Sequence, residues 1–158
     1  MPQWRPDCVV YRLSRIQAVT MELQDADLAE RLRLAGLRPT RQRLSLAAIL
    51  FGAGDRHVSA ESLHQEAVAA QIDVSLATVY NTLNQFKAAG LLREVAFEGD
   101  RTFFDTNTSN HFHYYLKDSD SLEDIGISDV EVKGLPPLPP GMEVDRIDII
   151  VRLRKTKA

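Results

Sequence analysis

The chemistry this chain offers most plainly is metal ligation. His57, Asp105, His111, His113 and Asp124 are potential ligands, and four of them lie in the second half: Asn110-His111-Phe112-His113 pairs two imidazoles at i and i+2, and Asp124 follows eleven residues on. Residues i and i+2 of a strand leave the same face about 7 Å apart, so His111 and His113 can converge on one centre. Three imidazoles and two carboxylates suit a borderline divalent ion such as Fe²⁺ or Mn²⁺ better than soft Cu(I). The five bracket a second feature. His57 precedes Ser75-Leu-Ala-Thr-Val-Tyr-Asn-Thr-Leu83, which has the pattern of a recognition helix, and the other four follow it.

The elements that must position these residues can be read from periodicity. Leu23, Leu28, Leu32 and Leu34-Ala35 recur at near-helical spacing, with Asp25 or Asp27 at the positive helix start and Gly36 as a stop. Pro39-Thr40 opens a second helix with Leu44, Ala47, Ala48 and Phe51 on one stripe, closed by Gly52. A third runs from Ser59 as N-cap to about residue 71, with Leu63, Ala67 and Val68 inward. Ser75 caps the fourth through the Thr78 amide, and Gly90 ends it in the left-handed conformation. On that helix Leu76, Val79, Leu83 and Phe86 share one face, Ala77, Thr78, Asn81 and Gln85 lie opposite, and Tyr80 sits at the border. Residues 91–97, a Glu98-Gly99-Asp100 turn and residues 101–105 make a two-stranded hairpin, a wing.

Past Asn107 the pattern changes. A strand over 111–117, a polar turn over 118–121 and a return over 122–127 precede Leu135-Pro-Pro-Leu-Pro-Pro140, which suits only an extended connector. Residues 144–153 alternate as a long final strand. The fold class is therefore α+β: a winged helix-turn-helix over 21–106, then a small α/β dimerisation and sensing domain over 107–158. Residues 1–20, without clear periodicity, read as an N-terminal extension. About 50 residues with little apolar surface gain stability by pairing, so a homodimer is expected.

Composition bounds the function. With 158 residues and 44% hydrophobic content the chain can bury a core, and its net charge of −3 argues against an indiscriminate polyanion binder. A localised DNA-facing patch remains open, since residues 37–93 hold six Lys/Arg against four Asp/Glu. The lone Cys8 excludes an internal disulfide and any cysteine-built zinc clamp, in keeping with a reducing cytoplasm. No run approaches the roughly 20 apolar residues of a membrane span, so no membrane partner is expected. His64, on the third helix, reads as a surface or capping residue.

Ser75-Leu-Ala-Thr-Val-Tyr80 with Leu83 and Gly90-Leu91, Arg38-Pro-Thr-Arg-Gln-Arg43, and His113 with the later Asp124 together resemble the ferric uptake regulator superfamily over roughly residues 23–153. The resemblance implies a dimeric regulator on an inverted-repeat duplex operator. DNA contacts would fall on Arg38, Arg41, Arg43, Ser75, Ala77, Thr78, Tyr80 and Asn81. It assigns regulatory metal ligation to His57, Asp105, His111, His113 and Asp124. Most members also carry a Cys-x-x-Cys after the His pair; Leu116 and Ser119 stand there, so no structural zinc is expected. That loss, the short Pro-rich connector and the basic finish resemble the iron response regulator branch, whose members sense haem. By that likeness His111 and His113 become candidate haem ligands, haem-delivering or haem-synthesising proteins become candidate partners, and the regulator would control iron and haem metabolism genes. Two alternatives stand beside it: a repressor sensing Fe or Mn, or peroxide through oxidation of a ligand His, and, remotely, a non-haem iron oxygenase using a His-x-His and carboxylate triad.

Overall fold

The computed structural model describes residues 25–96 and 102–156. The expected extension over 1–20, Leu23, Cys8 and the Glu98-Gly99-Asp100 turn lie outside them. The chain divides into two compact units, the division falling after Asn107.

The first unit holds α1 over 25–34, α2 (Arg41–Phe51), β1 (His57–Val58), α3 (Ala60–Ala69), α4 (Leu76–Ala88), β2 (Arg93–Ala96) and β3 (Thr102–Asp105). Each helix is punctuated by its sequence. Thr40 accepts the Arg43 amide at the start of α2, Ser59 and Ser62 exchange reciprocal bonds at the start of α3, and Ser75 accepts the Thr78 amide at 3.1 Å at the start of α4. Each bond satisfies an amide that the first helical turn leaves without a backbone partner. Gly36 and Gly90 follow α1 and α4 at φ +76° and +74°, where a side chain would be strained, and in both cases the next amide folds back onto the helix: Leu37 onto Leu32, Leu91 onto Phe86.

The core of this unit joins Leu32 of α1, Leu46, Ala47 and Leu50 of α2, Leu63 and Ala67 of α3, and Val79, Leu83 and Phe86 of α4 to Val58, Leu92 and Phe104. Burying each of the larger side chains contributes roughly 1.5–3 kcal/mol. Several expected facings differ. Leu34 is 81% exposed and Val68 58%. Leu76 is exposed while Thr82 is buried, and Ala48 is exposed while Leu46 and Leu50 are enclosed. The α2 segment Leu44-Ser-Leu-Ala-Ala-Ile-Leu-Phe51 is apolar nearly all round, so periodicity left its rotation open, and packing against α3 and α4 selected the 46/47/50 stripe.

The wing has three strands rather than two, in the order β1-β3-β2 and antiparallel throughout. The missed strand is His57–Val58, two residues too short to show alternation. Its pairing sets His57 opposite Asp105, and Arg93 of β2 opposite Asp105 from the other side.

The second unit is a sheet in the order β5-β4-β6, with β4 (His111–Leu116), β5 (Ser121–Gly126), a 3-10 turn (Ile127–Asp129) and β6 (Ile150–Leu153). β4 and β5 are antiparallel; β4 and β6 are parallel. Ile127, expected to end the return strand, lies in the 3-10 turn and is exposed. The final strand is four residues long, where alternation over 144–153 suggested ten: its register with β4 runs only from His113↔Ile150 to Leu116↔Leu153, with the Ile149 carbonyl accepting the His113 amide just before it, so the pairing with β4 begins only there. Residues 130–139 carry no helix or strand, as the prolines require.

Candidate metal centre and nucleic-acid interface

Antiparallel pairing places directly opposed side chains on one face of a sheet, so the His57↔Asp105 register alone brings these two together. His57 Nε2 lies 3.6 Å from Asp105 Oδ2, and the carboxylate is fully buried. Its other oxygen accepts the Asn107 amide at 2.8 Å, which fixes the carboxylate plane and leaves Oδ2 turned to the imidazole.

In the second unit the i, i+2 relation does what strand geometry predicts. His111 and His113 stand on one face of β4 with their Nε2 atoms 3.0 Å apart, and both rings are buried. The register His113↔Asp124 delivers the carboxylate from β5, with Asp124 Oδ1 3.3 Å from His111 Nε2. His111 Nδ1 lies 2.9 Å from the Ser109 carbonyl, which can only accept, so Nδ1 carries a hydrogen and Nε2 is the atom that faces His113 and Asp124. Two imidazole nitrogens and a carboxylate oxygen thus converge, a donor set that a cation can bridge. These three donor atoms lie within 4.8 Å of one another. Donors bound at about 2.0–2.2 Å to one ion sit roughly 3–4.4 Å apart, and the 3.0 and 3.3 Å separations at His111 Nε2 match a first-row divalent metal.

Haem fits the same pair less well. At 3.0 Å no porphyrin passes between His111 and His113 as they stand.

The expected DNA face belongs to α4 and the start of α2. Ala77 and Asn81 are exposed, Thr78 and Tyr80 half-buried, and Ser75 Oγ lies 2.8 Å from Thr78 Oγ1. Arg38 and Arg41 are exposed. Arg43 is otherwise engaged: Nε and Nη2 donate to Gln85 Oε1 and Nη1 to the Arg38 carbonyl, so it fixes α4 against the start of α2. His64 has a comparable role, its Nε2 donating to the Val74 carbonyl at 3.2 Å and tying α3 to the turn before Ser75. Arg56, whose guanidinium forks onto the Glu66 carboxylate, also pairs its backbone with Thr106 and so anchors the strand that carries His57. Sequence reading assigned none of the pairs Arg43–Gln85, His64–Val74 and Arg56–Glu66, because each joins residues ten or more apart through no periodic pattern.

Ser75→Ala should destabilise the unit by about 1 kcal/mol, whereas Ser75→Gly should cost only a few tenths. Urea midpoints of the two variants test this; equal losses would show that the hydroxyl does not cap α4.

Comparison with known proteins points the same way. Residues 34–136 match the ferric uptake regulator family. Over 104 residues, 66% of this chain and 84% of the relative, the sequence is 38% identical to the ferric uptake regulation protein of Pseudomonas fluorescens. The structure of the ferric uptake regulator from Pseudomonas aeruginosa with manganese is similar at a TM-score of 0.63 and 31% identity, covering 82% of this chain and 98% of that one. The Vibrio cholerae ferric uptake regulator shares the fold at a TM-score of 0.65 and 23% identity, over 80% and 98% of the two chains. With a capped reader helix, a wing and a paired-imidazole strand already in place, this agreement along most of the sequence is decisive: the chain belongs to the ferric uptake regulator family.

Proposed function

We propose that this regulator binds an inverted-repeat DNA operator as a homodimer and that a divalent ion, Fe²⁺ or Mn²⁺, held by His57, Asp105, His111, His113 and Asp124 sets its affinity. Proteins of this family are transcription regulators and not enzymes, which removes the oxygenase alternative. The observation that carries the reading is the orientation of His111 by Ser109, which sets its Nε2 beside two further potential ligand atoms, His113 Nε2 and Asp124 Oδ1. Only five residues separate Asp105 from His111. Ligands from both units can therefore share an ion, and sharing would fix the reader relative to the dimerising unit. Such an ion shifts DNA affinity only through its differential affinity for the two arrangements.

Two-fold symmetry of the protein requires two like half-sites in the operator. Ala77, Tyr80 and Asn81 face base edges in this reading, with Ser75, Thr78, Arg38 and Arg41 toward phosphate and Arg43 as a support. Exposed Val151 and Leu153 on β6, with Ile127, Val132 and Ile147, give the second unit apolar surface for a second copy. The regulator acts in the cytoplasm, on genes of iron and haem metabolism. A second reading, in which haem is the signal, rests on the likeness of the missing Cys-x-x-Cys at Leu116 and Ser119 to the iron response regulator branch, and it requires His111 and His113 to part or to ligate singly.

A DNA titration separates these signals. With an operator selected from random duplexes, Mn²⁺ should strengthen binding by the parent protein and leave His111→Ala/His113→Ala at its apo affinity. If haem is the signal, it should weaken binding by the parent and not by the variant. A response to neither ligand, or an unchanged response in the variant, would remove the pair from the switch.

A further inference from the structure

Tyr80 and Glu61 meet on the reader side of the first unit. The Tyr80 hydroxyl donates to Glu61 Oε1 at 2.7 Å, joining the fifth residue of α4 to the first turn of α3. A carboxylate has no proton to give, so the direction of this bond is fixed. The bond holds the phenol above its ordinary pKa of 10.0, and desolvation and the negative charge of Glu61 act in the same sense. At neutral pH the proton therefore stays on Tyr80 and points at Glu61. The phenolic oxygen is left able only to accept.

We propose that Glu61 is a specificity-determining residue, which commits the Tyr80 proton and so makes the pair an acceptor-only surface that takes a base-edge amino group. Adenine N6 and cytosine N4 offer such a donor in the major groove; guanine presents N7 and O6, both acceptors, and is turned away. A carboxylate beside the groove also repels phosphate, so its contribution is discrimination between sequences rather than affinity. The inference rests on the reading of α4 as the DNA reader.

The test uses the operator selected from random duplexes by the parent protein, with half-site adenines replaced one at a time by purine, which lacks the 6-amino group, and cytosines by 2-pyrimidinone, which lacks the 4-amino group. At one position in each half-site, removing the amino group should weaken parent binding about tenfold. Which analogue does so identifies the base. Glu61→Ala and Tyr80→Phe should show no penalty at that position, and Glu61→Gln, which adds a donor of the same size, should accept guanine there. Matching thermal midpoints establish that the variants are folded. A penalty that persists undiminished in both Glu61→Ala and Tyr80→Phe, or no amino-sensitive position at all, overturns the proposal. Ala77→Glu, on the exposed face of α4, distinguishes the underlying reading: unchanged operator binding there would show that α4 is not the reader and remove both, whereas lost binding together with an absent amino effect removes the role of Glu61 alone.

Discussion

Phe86→Ala will destabilise the winged-helix unit by about 3–5 kcal/mol, the range expected for emptying a fully enclosed phenylalanine site. The ring has no exposed surface and stacks on Phe51 with centroids 6.2 Å apart, so it joins α4 to α2 near the centre of the core. The cavity cannot collapse easily, because Leu46, Leu50, Leu63 and Leu83 of the same core are themselves enclosed. Typical domains hold only about 5–15 kcal/mol in total, so the variant should lose a large share of its stability and its DNA affinity should fall as α4 loses its seat. Leu34→Ala is the matched control. That leucine was expected to pack inward but is 81% exposed, and its removal should cost less than about 0.5 kcal/mol. Chemical denaturation of the two variants measures both; a loss under about 1.5 kcal/mol for Phe86→Ala would mean that α4 is not anchored as described.

The pair Phe86 and Leu34 shows what the sequence made legible. Element order, the caps at Ser59 and Ser75, the positive-φ stop at Gly90 and the His-x-His strand followed directly from residue type and spacing, since each depends on neighbours within a few positions. Rotation of a helix whose sides are all apolar does not. In α2 two overlapping apolar stripes were available, and only tertiary packing distinguished Leu46 and Leu50 from Ala48. Strand His57–Val58 was invisible for a different reason: its two residues are extended because β3 pairs with them, and the partners, Asp105 and Phe104, lie far along the chain.

The same division runs through the site. The convergence of His111 and His113 was legible as strand geometry, and the part of Asp124 became physical only when the β4–β5 register set it opposite His113. Asp105 was recognisable by family likeness, yet its fixation by the Asn107 amide and its complete burial were not. Glu61, Gln85 and His64 drew no functional reading of their contacts, because a carboxylate, an amide and an imidazole on helix surfaces are ordinary until a partner from another helix is in view.

Replacing either half of the ligand set should abolish the same bound ion, which is the strongest consequence of the proposal that both units share it. His57→Ala with Asp105→Asn removes one imidazole and one carboxylate while keeping the volume and the Asn107 bond of residue 105; His111→Ala with His113→Ala removes the paired rings. Losing two ligands should weaken the ion by more than about a hundredfold, beyond the 10–100-fold typical of losing a single supporting partner. Titration with Mn²⁺ followed by electron paramagnetic resonance, in which free aquated ion gives a sharp signal and bound ion a broadened one, counts the ions directly. The account predicts that the ion which the parent chain holds tightly is lost in each of the two double variants. If either double variant retains it at parental affinity, the two ligand sets are separate sites, and the shared-ion switch is contradicted.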